Sequence, residues 1–233
     1  MPRPRIIAHR GASGYEYENS LAAFRRAVMM DADGVELDVH ATRDGAIVVH
    51  HEPELAELGP IAGLPLAAVR DARLPNGEPV PLLAEALELL GDREVWVEVK
   101  ALDPRFDAGL LAALDRGPAP RRYAVHSFDH RIVSRLGRLR PGLARGILLS
   151  SYLIHPLAAL RGAGARTLWQ ERGVIDADLV RCVHAAGCEL IAWTVNDLGE
   201  LQRLAALGVD GLCGDYPDRI RVAINQSSPR DDP

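Results

Sequence analysis

Two apolar segments near the start of the chain carry side chains that together favour binding of a metal ion. The segment Arg5–Ala8 leads directly into His9, and the segment Gly34–Val39 contains Glu36 and Asp38. Both segments are rich in aliphatic residues, which is typical of β-strands. Alternate side chains of a strand share a face, so the two carboxylates point the same way. Such a pair is costly to desolvate, and a divalent cation would relieve the repulsion.

A third predicted strand adds one more carboxylate and an amine. In Glu94–Val99 three valines alternate with Trp96 and Glu98, and Lys100 continues on the face of the glutamate. Glu98 and the two carboxylates of the second strand give three oxygen donors, which suit Mg²⁺ or Ca²⁺. Lys100 is the only lysine in the chain. It could bind a phosphate oxygen, or it could simply form a buried ion pair with Glu98.

Further candidate residues can bind phosphate or transfer protons. Arg10 supplies positive charge for a phosphate oxygen, and Trp193, at the end of the seventh predicted strand, is assigned to substrate binding. His9 and His51 are the natural proton carriers near neutral pH. A lone histidine at a strand end is more often a satisfied hydrogen-bonding group than a catalyst. The other histidines are therefore assigned to structure or surface: His40, His50, His126, His130, His155 and His184.

The elements that must position these residues alternate between strand and helix. About eight such units in residues 1–225 predict a single domain with an α/β fold, the (β/α)₈ or TIM barrel. An open doubly wound sheet is the alternative, because periodicity does not show closure. In a barrel, functional side chains lie at the carboxyl ends of the strands. The later predicted strands are Tyr123–Ser127, Ala144–Leu149, Arg166–Trp169, Glu189–Val195 and Val209–Cys213.

Helix-capping side chains, prolines and glycines predict where several of these elements begin and end. Helix starts are expected at Asn19 or Ser20, at Asp176 and at Asp197, because these side chains cap helices well. Residues 52–80 are rich in proline and glycine and predict an irregular insertion after the second strand, with one short helix near Leu66–Val69. The polar end of the chain, from Gln226 to Pro233, is expected to be disordered.

Composition narrows the class of protein. The chain has 233 residues, 48% of them hydrophobic, and a formal net charge of −5. This mild acidity argues against nucleic acid or an anionic membrane surface as the main partner. No segment resembles a signal peptide or a membrane span. The three cysteines lack metal-type spacing and favour a reducing, cytoplasmic location. The oligomeric state is left open.

Motifs that also occur in a known family follow one another along nearly the whole chain. They are His9-Arg10-Gly11-Ala12, Glu18-Asn19-Ser20, Phe24, Gly34–Val39, Thr42-Arg43-Asp44-Gly45, His51, Val97-Glu98-Val99-Lys100, Ser127-Phe128, Trp193-Thr194-Val195-Asn196, Val209-Asp210-Gly211 and Asp215-Tyr216-Pro217. Through these motifs the chain resembles the glycerophosphodiester phosphodiesterase family. The resemblance implies a (β/α)₈ barrel with His9 and His51 as the acid–base pair. It also implies three metal ligands and two phosphate-binding residues: Glu36, Asp38, Glu98, Arg10 and Lys100.

The chain departs from the family pattern beside the second histidine. The family usually has aspartate there, where this chain has Glu52, and the usual Leu-Asp-Arg-Thr-Thr run is replaced by Pro53–Glu57. The family's insertion contacts the alcohol part of the substrate, and here it is shorter and rich in proline. These departures leave the phosphodiester chemistry in place and leave the alcohol open.

The resemblance implies metal-dependent hydrolysis of glycerophosphodiesters to an alcohol and glycerol phosphate. The nucleophile is either water or the glycerol hydroxyl of the substrate itself. One alternative is a phospholipase D type of activity on lysophospholipids, but Leu55, Leu58 and Ile61 are too few to argue an apolar slot. Another is a catalytically inactive barrel that binds phosphorylated ligands. Loss of a histidine or a carboxylate would favour that alternative, and each of them is present.

Overall fold

Strands and helices alternate along residues 3–227, which are the residues that the computed structural model describes. The strands are β1 (Arg5–His9), β2 (Gly34–Ala41), β3 (Ile47–Val49), β4 (Glu54–Leu55), β5 (Gly59–Pro60), β6 (Glu94–Ala101), β7 (Tyr123–His126), β8 (Ala144–Leu149), β9 (Thr167–Glu171), β10 (Glu189–Trp193) and β11 (Gly211–Gly214). The α-helices are α1 (Leu21–Met29), α2 (Leu66–Asp71), α3 (Leu83–Leu90), α4 (Asp107–Arg116), α5 (His130–Leu139), α6 (Pro156–Ala163), α7 (Ala177–Ala185), α8 (Leu198–Leu207) and α9 (Pro217–Ser227).

Eight parallel strands of this described region close into a barrel. The strands β1, β2 and β6 to β11 follow one another round the barrel in chain order, and β1 pairs with both β2 and β11. Ile7 of β1 is in register with Gly34 on one side and with Cys213 on the other. The predicted (β/α)₈ barrel is confirmed, and the open doubly wound sheet is excluded. The carboxyl ends of these strands therefore meet at one rim.

The residues expected to begin helices do so. The side-chain oxygens of Ser20, Asp176 and Asp197 accept hydrogen bonds from backbone N–H groups in the first turns of α1, α7 and α8. Each satisfies a donor that has no partner within its helix. The last helix is longer than expected and continues to Ser227, so it includes the first two residues of the expected tail. Residues 228–233 lie outside the described residues.

Apolar side chains fill the barrel beneath its rim. The three valines of β6 face outward and pack against α3 and α4, while Trp96 of the same strand faces inward. Inside the barrel Trp96 lies with Ile7, Leu148, Trp169 and Ile191. Each fully buried side chain of this size contributes about 1.5–3 kcal/mol to folding. The polar groups at the rim therefore rest on a packed apolar floor.

The insertion after the second barrel strand has more structure than the sequence predicted. The strand β3 precedes this insertion and pairs antiparallel with β2. Within residues 52–80, β4 and β5 form a small hairpin. The expected short helix is present as α2. These pieces enclose a separate apolar cluster of Val48, Leu55, Ile61, Val69, Leu74 and Val80. The prediction of an irregular loop with one helix was therefore wrong in part, because this local core orders the segment.

Membrane spans and cysteines both bear on the expected cellular location of the chain. Among the described residues, no helix is both long and apolar enough to cross a bilayer. The cysteines Cys182, Cys188 and Cys213 are free thiols, as their number and spacing suggested. The cytoplasmic location stays an expectation.

Candidate active site

Three carboxylates meet at the carboxyl end of the barrel, on two adjacent strands. Parallel pairing sets Asp38 of β2 beside Glu98 of β6, and Glu36 lies on the same inner face of β2. One carboxylate oxygen of each residue lies within 4.8 Å of the others. All three side chains are buried, and even Glu98 is only 7% exposed. The sequence prediction that these three acids come together is confirmed, and their role as metal ligands stays a prediction.

The neighbours of these carboxylates push their pKa values apart. Burial, together with the charges of Glu36 and Asp38, raises the pKa of Glu98 to about 8. Burial also acts to raise the pKa of Asp38, but the charges of Lys100 and Arg10 outweigh it and lower that pKa to about 2. The site therefore disfavours full ionisation of its acids unless positive charge is added. A divalent cation fits this cluster, because the donors are carboxylate oxygens. When all three acids are ionised, they carry one more negative charge than Lys100 and Arg10 neutralise.

Two cationic side chains contact the carboxylates. Lys100 places its Nζ 2.9 Å from Asp38 Oδ1 and 2.7 Å from Glu98 Oε1. Arg10 Nε lies 3.2 Å from Asp38 Oδ2, and its Nη1 donates to Glu18 Oε2 at 2.7 Å. The ion pair of Lys100 with Glu98, one of the two interpretations of the sequence, is therefore present. Both cations also line the cavity described below, so phosphate binding stays a prediction.

His9 is held by a carboxylate that directly follows the last barrel strand. Its Nδ1 lies 2.7 Å from Asp215 Oδ1, and Asp215 also accepts hydrogen bonds from Ser13 and Asn196. Burial acts to lower the pKa of His9, but the hydrogen bond to Asp215 and the charge of Glu36 raise it overall. Because Nδ1 is engaged with Asp215, proton transfer to a substrate would use Nε2.

His51 has a similar arrangement just before the insertion. Its Nδ1 lies 2.8 Å from Glu52 Oε1, and its backbone carbonyl lies 3.1 Å from His40 Nε2. Glu52 thus provides a carboxylate partner at the position where the family usually has aspartate. The neighbouring His50 instead places Nδ1 2.9 Å from the Glu52 carbonyl. Of the two histidines, only His51 lines the cavity, and it is the one that the family motifs select as a proton carrier.

The cavity between these groups has two chemically different walls. It encloses about 130 Å³, and the polar wall contains the two candidate proton carriers, the two cations, Glu36 and Glu98. The apolar wall consists of Phe128, Leu148, Trp169 and Trp193. The rings of Phe128 and Trp193 meet edge to face, with centroids 5.5 Å apart. Trp193 is therefore placed to contact a substrate, although that role stays a prediction.

The sequence interpretation missed several residues of this site. His126 was assigned to structure or surface, but it is buried, lines the cavity and lies in register with Glu98. Asn19 was treated as a helix cap, whereas its amide donates to Asp38 Oδ2 at 2.7 Å. His126 could have been found, because it ends a predicted strand as the other site residues do. The contact between Asn19 and Asp38 had no signal in a single sequence.

A barrel with a buried acidic cluster, two adjacent cations and two carboxylate-paired histidines at its carboxyl rim has the groups that a metal-assisted acid–base enzyme needs. Comparisons with known proteins show the family to which the chain belongs. The chain belongs to the glycerophosphoryl diester phosphodiesterase family, whose sequence profile matches residues 9–219.

Relatives and solved structures agree with this membership. A glycerophosphodiester phosphodiesterase of Caldanaerobacter subterraneus subsp. tengcongensis is 32% identical over 92% of this chain and 95% of that protein. A probable glycerophosphodiester phosphodiesterase 2 of Mycobacterium tuberculosis is 31% identical over 94% of this chain and 89% of that protein. A phosphodiesterase of Oleispira antarctica, solved in complex with the product sn-glycerol-3-phosphate, superposes with a TM-score of 0.89 at 27% identity. The superposition covers 96% of this chain and 97% of the Oleispira antarctica chain.

Proposed function

We propose that this chain hydrolyses glycerophosphodiesters to an alcohol and glycerol phosphate, using Mg²⁺ or Ca²⁺ held by Glu36, Asp38 and Glu98. The observation that carries the proposal is the convergence of these three buried carboxylates beneath a cavity lined by His9 and His51. Family membership and the relatives support the reaction class. The identity of the cation and the role of each residue are part of the proposal.

The charged wall of the cavity would bind the phosphodiester group. When bound, the cation would polarise a phosphoryl oxygen and stabilise the charge that develops during the reaction. Lys100 and Arg10 contact the same carboxylates and line the same cavity, so each can donate to a phosphate oxygen. Their existing ion pairs hold both side chains in place, which limits the reorganisation needed at the moment of reaction.

The two histidines would divide the proton transfers. Asp215 and Glu36 favour the protonated form of His9, which suits it to protonate the leaving alcohol oxygen. His51, whose Nδ1 is held by Glu52, would then take the proton of the nucleophile through Nε2. The carboxylate partner of each ring fixes which nitrogen faces the substrate.

The alternative activities can be weighed against the structure. Leu55 and Ile61 are buried in the core of the insertion, so they do not form an apolar slot for an acyl chain. The apolar wall around Phe128 and Trp193 keeps a lysophospholipid among the substrates to test. An inactive phosphate-binding barrel is disfavoured, because both histidines retain carboxylate partners and the acids converge.

A substrate panel tests the proposal. Chelated protein would be mixed with glycerophosphodiesters of choline, ethanolamine and inositol, and with a lysophospholipid, before Mg²⁺ or Ca²⁺ is added. Phosphorus NMR would identify the products. We expect glycerol phosphate from the glycerophosphodiesters only after a cation is added. Equal turnover without the cation, or no glycerol phosphate with either cation, would refute the proposal.

A further inference from the structure

His126 is a buried polar side chain that the proposed mechanism does not use. It ends β7, beside Glu98 of β6, and its side chain is 1% exposed. Its ring packs against both Trp96 and Trp169, at centroid distances of 5.5 and 4.3 Å. These ring contacts fix the position of the imidazole without help from hydrogen bonds.

Neither ring nitrogen of His126 has a hydrogen-bond partner among the described residues. Buried polar atoms nearly always have a partner, so an exception at the edge of a cavity points to a function. The nearest carboxylate oxygen, Glu36 Oε1, lies 3.7 Å from His126 Nε2, which is just beyond hydrogen-bond distance. A small shift of either side chain would bring the two atoms into contact.

The other oxygen of Glu36 is already held. Glu36 Oε2 accepts a hydrogen bond from the backbone N–H of Arg10 at 3.2 Å. A donor at Oε1 would therefore hold the carboxylate from both sides and set its orientation toward Asp38 and Glu98. Groups that orient metal ligands in this way raise the affinity of a site for its ion.

We propose that His126 is a positioning residue for the metal site, with Nε2–H donating to Glu36 Oε1. The inference rests on the proposed metal site, because it acts through one of the three proposed ligands. His126 is not itself a member of the group of side chains whose donor atoms lie within 4.8 Å of one another. A role in packing alone would be served equally well by an apolar ring, without two buried nitrogens.

Calorimetric titration of the chelated protein with magnesium chloride and with calcium chloride, without substrate, tests the inference. His126→Leu removes the donor, and His126→Gln keeps an N–H group at a similar distance from the backbone. We expect His126→Leu to bind the cation about 10- to 100-fold more weakly. We expect His126→Gln to stay close to the wild type. His155→Ala is the control, because His155 is exposed at the start of α6.

A comparison with Glu36→Gln distinguishes failure of the His126 inference from failure of the proposed metal site. If Glu36→Gln loses the cation but His126→Leu binds like the wild type, the role of His126 is refuted and the metal site stands. If Glu36→Gln also binds like the wild type, the metal site itself is refuted. Equal losses in His126→Gln and His126→Leu would refute hydrogen bonding as the cause. Should His126→Leu fail to fold, His126→Phe takes its place and keeps a ring packed against the two tryptophans.

Discussion

The two ends of the barrel both carry charged side chains, but they arrange them in opposite ways. At the amino end, Arg5 of β1 contacts Glu94 at 3.1 Å and Glu189 at 2.6 Å, and His184 contacts Asp210 at 2.9 Å. The two contacts of Arg5 connect the starts of strands and pair charges of opposite sign, and the contact of His184 joins the end of α7 to the residue before β11. At the carboxyl end, three acids are instead crowded within 4.8 Å of one another.

The amino end of the barrel contributes to stability, whereas the carboxyl end carries the proposed function. Paired charges at the amino end fasten β1 to β6 and β10, so they contribute to folding. The crowded acids at the carboxyl end raise the pKa of one member, which opposes folding unless a cation is bound. Substitutions at the amino end should therefore lower stability and leave turnover intact. Substitutions at the carboxyl end should instead lower turnover and leave stability intact.

The largest effect is expected from His51→Ala. Removing a proton carrier should lower kcat about 10²- to 10⁴-fold and leave the melting temperature unchanged. His50→Ala is the matched control, because the adjacent His50 contacts the Glu52 carbonyl and does not line the cavity. An inactive His50→Ala together with a fully active His51→Ala would show that the assignment is displaced by one residue.

The same measurement on His9→Ala sharpens the assignment of acid and base. A nitrophenyl ester of glycerol phosphate releases an alcohol that needs no protonation. It should restore much of the turnover of His9→Ala and little of the turnover of His51→Ala. Equal restoration in both variants would remove the distinction between the two histidines, and restoration of His51→Ala alone would reverse it.

A smaller loss is expected from Lys100→Met. If the ammonium group binds the substrate phosphate, its removal should cost about 2–4 kcal/mol of transition-state stabilisation, as for other fixed donors. That corresponds to about a 30- to 10³-fold loss of kcat/KM. A melting curve and a rate measurement on the same sample check this. An unchanged rate with lower thermal stability would leave Lys100 as only an ion-pair partner of Asp38 and Glu98.

At the amino end, Arg5→Met should change stability alone. It removes the contacts to Glu94 and Glu189, which are partly exposed, so the free energy of unfolding should fall by about 1–2 kcal/mol. For a chain of this size the melting temperature should fall by about 2–4 °C for each kcal/mol. Turnover per folded molecule should stay at the wild-type value. A large loss of turnover would show that the two ends are coupled.

The smallest effect is expected from Asp33→Asn, and it depends on pH. Burial acts to raise the pKa of Asp33, but hydrogen bonds from Arg3 and the Ile6 N–H outweigh it and lower that pKa. Because the pKa of Asp33 is lower in the folded state than in the unfolded state, its carboxylate stabilises the fold at pH values above the unfolded-state pKa. This stabilisation disappears as the pH falls through the folded-state pKa.

Urea unfolding at two pH values checks this sign. At pH 7 the wild type should be more stable than Asp33→Asn by up to about 1 kcal/mol, since the pair is partly exposed. Below about pH 4 the difference should shrink. An equal difference at pH 7 and pH 3 would show that the contribution does not depend on ionisation of Asp33.

Much of the fold and part of the site could be predicted from local patterns. The alternation of Val95, Val97 and Val99 with other residue types indicated which face of β6 turns inward, and Asp197 marked the start of α8. Convergence of Glu36, Asp38 and Glu98 followed from one rule, that parallel strands present their carboxyl ends at one rim. These features depend on neighbours along the chain, which a sequence displays directly.

Features that depend on contacts between distant segments could not be predicted in this way. His126 belongs to the site because β7 is in register with β6, and register is set by packing round the whole barrel. The β4–β5 hairpin has strands of two residues each, too short to show alternation. The local core of the insertion, with Leu55 and Ile61, also includes Val48 of β3, so it depends on packing of the segment against that strand.

A crystal structure with Mn²⁺ and sn-glycerol 3-phosphate would test the central claim most directly. Mn²⁺ accepts the same oxygen ligands as Mg²⁺, and its anomalous scattering locates it independently of the protein coordinates. The account predicts one strong peak bound by Glu36, Asp38 and Glu98, with the phosphate group in contact with Lys100 and Arg10. An ion bound away from these carboxylates, or a phosphate group outside the cavity, would contradict it.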